Sequence, residues 1–370
     1  MLKNKNILIF DPLLLTYPYT LNLSNSLSKF NKVSLLTNKR VIPKYLNKHL
    51  DEIKLVHSHN FDNKKKIVKF FLLILTYFKF HKLCKKNDVI IFQMSPFTLF
   101  DYIILKFSKI NNKSILNLHN SKPFHGEKKI LQTLIYKKYL KSFNYFIVHS
   151  ERTKRFLKIV FKKKNIFYFN LPYDSITNKF EVKKNIKQKY ILFIGNIKYY
   201  KGLDLLIKAF SELDENVKCS FKLLIVGKNK FKLKIKDKNI KIINKYVDDK
   251  YVNFFINNCH LIILPYRDID GSGILSLAIN YEIPVITSNL LGFKEILTSY
   301  EEDDFFISDS VESLKEKLSN IMSDKNNLDK LKFKIKETKM KMNNWDSVSE
   351  NLIKSNFFQN HQQVFVNQMN

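Results

Sequence analysis

Short apolar runs and longer amphipathic stretches alternate through the first 170 residues. Runs rich in β-branched and aromatic residues occupy 7–10, 33–37, 53–56, 89–92, 114–118 and 145–149, each flanked by Asn, Asp, Lys or Ser. That pattern predicts six strands. Helical stretches fall between or after them, at 21–30, 67–80, 99–110, 128–141 and 153–161. Strand and helix alternating at this spacing predict an open parallel sheet with helices on both faces. From 171 to 189 the pattern fades into LPYDSITNKFEVKKNIKQK, whose proline, polar mixture and charge suit a linker.

A second alternating block runs from Tyr190 to about Ile307, and the tail from Val311 is mostly helical around Trp345. The expected organisation is therefore an N-terminal Rossmann-like domain over 1–172, a linker over 173–189 and a second domain over 190–345. A terminal helix is expected at about 346–370. The fold class is α/β. In the second block three segments share one design. YILFIGNIKYYKG and FKLLIVGKN each carry an apolar strand that ends at a glycine, Gly195 and Gly227. The third, CHLIILPYRDIDGSGILSLAINYEIPVI, ends its strand at Pro265 and opens a helix with Gly271, Ser272 and Gly273. In a parallel sheet such loops meet at one edge, the carboxyl ends of the strands.

Composition sharpens this only a little. The formal charge is +31, yet 60 of the 64 basic residues are lysine, spread along the whole chain and mixed with Asn, Ile and Phe. Those four residues are favoured together by AT-rich codons. Readers of nucleic acid lean on arginine forks for base and phosphate contacts, so a nucleic-acid partner is not expected. A protein this basic is nonetheless drawn to anionic surfaces, the cytoplasmic leaflet among them. The three cysteines have neither metal-ligand spacing nor a disulfide framework, which suits a reducing cytosol. The N-terminal apolar run reads as a first strand and is too short for a signal peptide. The longest apolar run has nine uncharged residues between Lys69 and Lys79, too few for a membrane span. It suits either a buried core helix or a helix lying on lipid.

Some residue types are placed for chemistry. Lys198 and Lys201 sit in a strand-to-helix loop, where cations at a helix start suit a diphosphate, although solvated lysines are the plain alternative. The Gly-Ser-Gly opening supplies free backbone N–H groups and a helix dipole; Ser272 could equally be an ordinary N-cap. His119 follows a predicted strand and titrates near neutrality, so it is either a catalytic group or a structural strand-end residue. Asp11 follows the first strand. Glu127 and His125 share a later loop. Ser150 reads as an N-cap beside a structural His149.

The segments at 190–210, 221–229 and 259–297 resemble the nucleotide-sugar-binding half of the family-four (group 1) glycosyltransferases of GT-B fold. The N-terminal stretches LHNSKPFHGE and VHSE resemble the same family more thinly. The resemblance implies two Rossmann-like domains facing across a cleft, with a terminal helix crossing back to the first. It implies a UDP- or GDP-sugar donor, a saccharide or lipid-linked acceptor, and no metal or other cofactor. By that resemblance Lys201 contacts the pyrophosphate with Lys198 beside it, and Gly195, Gly227, Ser272 and Gly273 line the donor. The base lies against backbone near Tyr246 and Val247.

The chain departs from the family's Glu-x7-Glu pair. Leu277 stands at the second position and Ile269 at the first, leaving Asp270 as the nearest acid; a subgroup with Ser-Gly-Val-Leu has the same gap. The resemblance also places His119 near the reacting sugar. An inverting enzyme would need a base, for which Asp11 and Glu127 are candidates; a retaining one would not. Thr20 is a weaker loop candidate. Asp268-Ile269-Asp270 matches the Asp-x-Asp of metal-dependent transferases only as a three-residue coincidence.

The implied setting is a protein peripheral on the inner face of the cell membrane, in surface polysaccharide or glycolipid synthesis. Two other functions compete: a sugar-nucleotide epimerase or phosphorylase of the same fold, and a non-catalytic binder of polyanions. The second predicts clustered basic residues with interleaved aromatics and a recognisable module; neither is evident, and arginine is scarce. A dehydrogenase is excluded by the want of Gly-x-Gly-x-x-Gly after a strand.

Overall fold

The computed structural model describes residues 5–14, 17–38, 52–59, 65–93, 98–120, 130–172, 190–228, 235 and 237–355. They divide into two compact units. One comprises 1–121, 129–169 and 343–370, and the other is built on 170–342. The expected linker at 173–189 and the loop carrying His125 and Glu127 lie outside the described residues.

The first unit is a seven-stranded parallel sheet in the order β3-β2-β1-β4-β5-β6-β7. Its strands are β1 (Asn6–Asp11), β2 (Lys32–Thr37), β3 (Lys54–His57), β4 (Val89–Phe92), β5 (Ser114–Leu118), β6 (Tyr145–Val148) and β7 (Asn165–Tyr168). Its helices are α1 (Tyr17–Ser28), α2 (Lys66–Cys84), α3 (Thr98–Phe107), α4 (Ile130–Lys141) and α5 (Glu151–Phe161). The chain steps outward from β1 to β3, then doubles back. Right-handed crossovers therefore put α1 on one face and α2 to α5 on the other. The packing agrees: Leu8 and Phe10 of β1 join Phe80 of α2, Leu105 of α3, Tyr139 of α4 and Leu157 of α5 in one core. Strands β1, β4 and β5 are buried on both faces, which is why they read as unbroken apolar runs.

The second unit is a five-stranded parallel sheet, order β10-β9-β8-β11-β12. Its strands are β8 (Tyr190–Ile194), β9 (Lys222–Val226), β10 (Ile240–Ile243), β11 (Leu261–Leu264) and β12 (Val285–Thr287). The helices are α6 (Leu203–Ser211), α7 (Glu215–Ser220), α8 (Asp249–Asn258), α9 (Gly273–Asn280), α10 (Leu291–Lys294), α11 (Val311–Ser323) and α12 (Lys325–Lys341). The chain then returns to the first unit. Helix α13 (Trp345–Lys354) packs on α1, where Ser26 Oγ donates to the Trp345 carbonyl at 2.7 Å and Lys29 pairs with Asp346 at 2.6 Å. Residues 356–370, the rest of the expected terminal helix, lie outside the described residues.

Two strands differ from the sequence expectation. Neither β7 nor β10 was foreseen; each is a four-residue strand at a sheet edge. Half-exposed edges need no continuous apolar run, so their signal is weak. Helix α1 also begins at Tyr17 rather than near residue 21.

Candidate active site

In the second unit the loop after β8 is shaped by two glycines. Gly202 has φ +63°, and a Cβ there would lie 1.9 Å from the Pro265 carbonyl oxygen. Gly227, after β9, has φ +151°, and its Cβ would lie 1.9 Å from the Gly195 carbonyl oxygen. Both positions therefore exclude any side chain. The closeness draws the ends of β8, β9 and β11 to one edge. Between Gly195 and Gly202 a single 3-10 turn, Tyr199–Lys201, aims Lys201 back toward the strand end. The Lys201 ammonium lies 3.0 Å from where a Gly195 Cβ would stand and 5.3 Å over the Tyr266 ring. No carboxylate among the described residues pairs with it. An ammonium held by an aromatic face and no acid is available to an anion.

The start of α9 faces the same place. Ile274 Cγ1 lies 3.7 Å from the Gly195 Cβ position, and a Cβ added at Gly273 would meet nothing within 4 Å. The amides of Gly273 and Ile274 have no intrahelical acceptor. Ser272 is a true N-cap: its Oγ accepts from the Leu275 amide at 3.2 Å. It contributes by fixing the helix start, and the open space lies one residue on, before Gly273.

Arg267, which the sequence reading passed over, locks the Lys201 turn. Its guanidinium makes a two-pronged contact with Asp204 (2.8 and 2.6 Å), donates to the Tyr199 carbonyl (3.0 Å) and to Asp309 (2.6 Å), and stacks over the Tyr199 ring at 4.4 Å. Its own amide donates to the Tyr200 carbonyl at 2.7 Å. Hydrogen bonding to Asp204 and Asp309 raises the Arg267 pKa further above its usual value, against the opposing effect of burial. Burial works against the Asp204 carboxylate, but Arg267 more than offsets it and holds that pKa below the usual range. The signal was there to find: one of only four arginines stands three residues past the end of β11.

The remaining donor-side candidates divide. Ile269, at the first glutamate position of the related family, is buried in the core, where its Cγ2 would lie 3.0 Å from a Cβ at Gly292. Leu277 also packs on that core. Asp270 is buried and Asp268 partly exposed. Beyond β10, Tyr246 is 76% exposed, while Val247 packs on the core. Lys198 precedes the turn as an extended residue. Among the described residues the acids close enough to share a metal are Glu301, Asp303 and Asp304; Lys334 already meets Glu301 and Asp304, and neither Asp268 nor Asp270 belongs to the group.

In the first unit the carboxyl ends of β1, β4, β5 and β6 carry a polar row. Asp11 is buried and accepts from Thr20 Oγ1 at 2.7 Å. Asn117 donates to Gln93 Oε1 at 2.7 Å, so its own oxygen accepts from His149 Nε2 at 2.8 Å. That fixes a protonated Nε2 on His149. His119 stands 3.5 Å from Gln93 Oε1 and packs 5.0 Å from the His149 ring and 4.7 Å from Tyr19. Tyr19 in turn meets Trp345 at 5.0 Å. Burial pushes the His119 pKa down to about 4. Burial, then the nearness of His119, pushes His149 well below its usual value, with the Phe169 carbonyl acting weakly the other way. Both rings are neutral at pH 7. The N-cap reading of Ser150 is seen directly, with its Oγ accepting from the Thr153 amide at 3.1 Å. Sequence reasoning missed Tyr19, Gln93 and Asn117, which gain meaning only once β1, β4 and β5 lie side by side.

Two units, each built on a parallel α/β sheet, give the chain the fold of GT-B type. Residues 174–338 match the family model for glycosyl transferases group 1, so this part of the chain is a glycosyltransferase domain. No curated protein sequence matches the chain. Solved structures agree on the fold. Sucrose-phosphate synthase from Thermosynechococcus elongatus is 13% identical with a TM-score of 0.70, over 98% of this chain and 99% of that one. Anabaena Alr3699/HepE, solved in complex with UDP-glucose, is 10% identical with a TM-score of 0.69, over 95% and 98%. WaaG, a glycosyltransferase involved in lipopolysaccharide biosynthesis, is 13% identical with a TM-score of 0.60, over 94% and 98%.

Proposed function

We propose that the protein transfers a sugar from a UDP- or GDP-sugar to a saccharide acceptor carried on lipid, at the inner face of the cell membrane, in surface polysaccharide or glycolipid synthesis. The observation that carries the donor half is the Lys201 ammonium, free of any described carboxylate and beside the open start of α9. Together they offer a charge and two free amides to a diphosphate. Arg267 holds the turn so that Lys201 needs no rearrangement when the donor arrives.

Donor cleavage breaks the bond between the anomeric carbon and the diphosphate oxygen. Lys201 and the α9 dipole stabilise the charge that grows on that oxygen. His119, neutral at pH 7, serves as a hydrogen-bond donor to the transferring sugar and not as a charged acid. Asp11, buried and held by Thr20, is the base candidate for an inverting reaction, with Glu127 the other. The basic surface, and Anabaena HepE's binding of UDP-glucose, support the reading.

The test supplies radiolabelled UDP- and GDP-sugars with a lipid extract bearing short saccharides. Label moving into the organic phase, with one nucleoside diphosphate released per sugar, is the expected result. Release of free sugar alone, or interconversion of the nucleotide sugar, would favour hydrolysis or the epimerase reading.

A further inference from the structure

One face of the first unit is left apolar. On α2, Ile67, Phe71, Leu75 and Phe78 recur at helical spacing and point outward, Phe71 at 61% and Phe78 at 60% exposure. On α3, Ile103 and Phe107 form a second stripe, Phe107 at 67%. The helices lie side by side: His81 bonds Ser108 at 2.7 Å and its ring meets Phe107 at 5.2 Å in a tilted contact, and Phe70 meets Phe100 at 5.9 Å. The two stripes therefore make one surface. A soluble protein scatters exposed apolar residues singly, and a shared stripe on neighbouring helices calls for a partner.

The charges around that surface say which partner. Lys82 and Lys85 continue the α2 stripe at the same spacing, and Lys106 falls within the α3 stripe; all are exposed. The two helices hold a single acid, Asp101, and it is fully buried, accepting from the Tyr77 hydroxyl. So among the described residues of α2 and α3 the face presents aromatic rings with lysines and no exposed carboxylate. None of the described helices is long and apolar enough to cross a bilayer.

We propose that the outer face of α2 and α3 docks on an anionic bilayer surface. The phenylalanines enter the boundary between headgroups and acyl chains, and the lysines meet the anionic headgroups. The inference rests on the membrane-surface reading above and names the residues that make the contact. A lipid-borne acceptor would then be met by an enzyme already held at its own plane.

The test is vesicle co-sedimentation without donor, using phosphatidylcholine alone and phosphatidylcholine with about 30% phosphatidylglycerol. Wild type is expected to bind the anionic vesicles at least tenfold more tightly, and to release them as salt rises to about 0.5 M. Phe71→Ser with Phe78→Ser should weaken that binding at least tenfold. Lys82→Glu with Lys106→Glu should abolish the preference for anionic lipid. All four positions are exposed, so the folding midpoint read from Trp345 emission should stay put, and transfer to a soluble acceptor should persist in the phenylalanine variant.

No binding of wild type to anionic vesicles would overturn the proposal, as would binding that ignores the phenylalanines. A wild-type dimer that the phenylalanine variant splits, with no vesicle binding, would instead assign the face to a second copy and also overturn it. Because no donor is present, failure here is distinct from failure of the transferase reading, which the label-transfer assay decides.

Discussion

Acid should unfold the first unit through the buried His149 and the half-buried His119. The folded state keeps His119 neutral down to about pH 4, and His149 is held well below its usual value as well. An unfolded chain protonates both near 6.5. The folded state thus binds fewer protons below that value, so stability is complete above about pH 7 and falls as pH drops from 6.5 toward 4. At pH 5 the unfolded chain gains about 2 kcal/mol from His119, and His149 acts in the same direction. The His119 part alone is a large share of a typical domain's 5–15 kcal/mol.

The assay is built into the chain. Trp345 is its only tryptophan, is buried, and packs against Tyr19 at 5.0 Å and Phe169 at 6.4 Å, all in the first unit. Urea unfolding followed by Trp345 emission at about pH 7.5 and pH 5 therefore reports this unit alone. The comparison is with His119→Gln plus His149→Gln, which is less stable at pH 7.5 but should lose at least about 2 kcal/mol less on acidification. Equal losses in wild type and variant would refute the histidine account.

Other outcomes follow from single contacts. Arg267→Lys keeps the charge but cannot grip Asp204 with two prongs, so it should cost about 1–2 kcal/mol and weaken nucleotide binding about tenfold, by calorimetry. Gly227→Ala must move a carbonyl 1.9 Å away and hold φ +151°, which should cost at least about 3 kcal/mol in thermal unfolding. Gly273→Ala meets open space, so it should leave stability within about 0.5 kcal/mol while lowering nucleotide affinity. Trp345→Ala should cost the first unit about 3–5 kcal/mol in urea, since the ring anchors α13 against Tyr19.

How much of this was legible depends on burial. Central strands such as β1 and β8 are buried on both faces, and their apolar runs could be read directly. The edge strands β7 and β10 carry exposed positions and left no such mark. Glycines marked the carboxyl edge of the second sheet because close backbone approach demands glycine at Gly227 and Gly202. From sequence Ser272 reads as a donor contact with an N-cap as the alternative, and its Oγ caps α9. Arg267 was not legible, because its partners Asp204 and Asp309 lie 63 and 42 residues away. The Gln93–Asn117–His149 row was hidden for the same reason. Its members come from three strands, and only the parallel register of β4, β5 and β6 aligns them.

The central claim is that Lys201 and the start of α9 hold a nucleoside diphosphate sugar. The most direct measurement is thermal unfolding of wild type and Lys201→Ala with UDP, GDP and their sugar conjugates. At about 100 times its dissociation constant a true donor adds about 2.7 kcal/mol, a rise of about 5–10 °C for a unit of this size. The account predicts that rise with one nucleotide base, and its loss in Lys201→Ala. No rise with any nucleotide, or an equal rise in the variant, would contradict it.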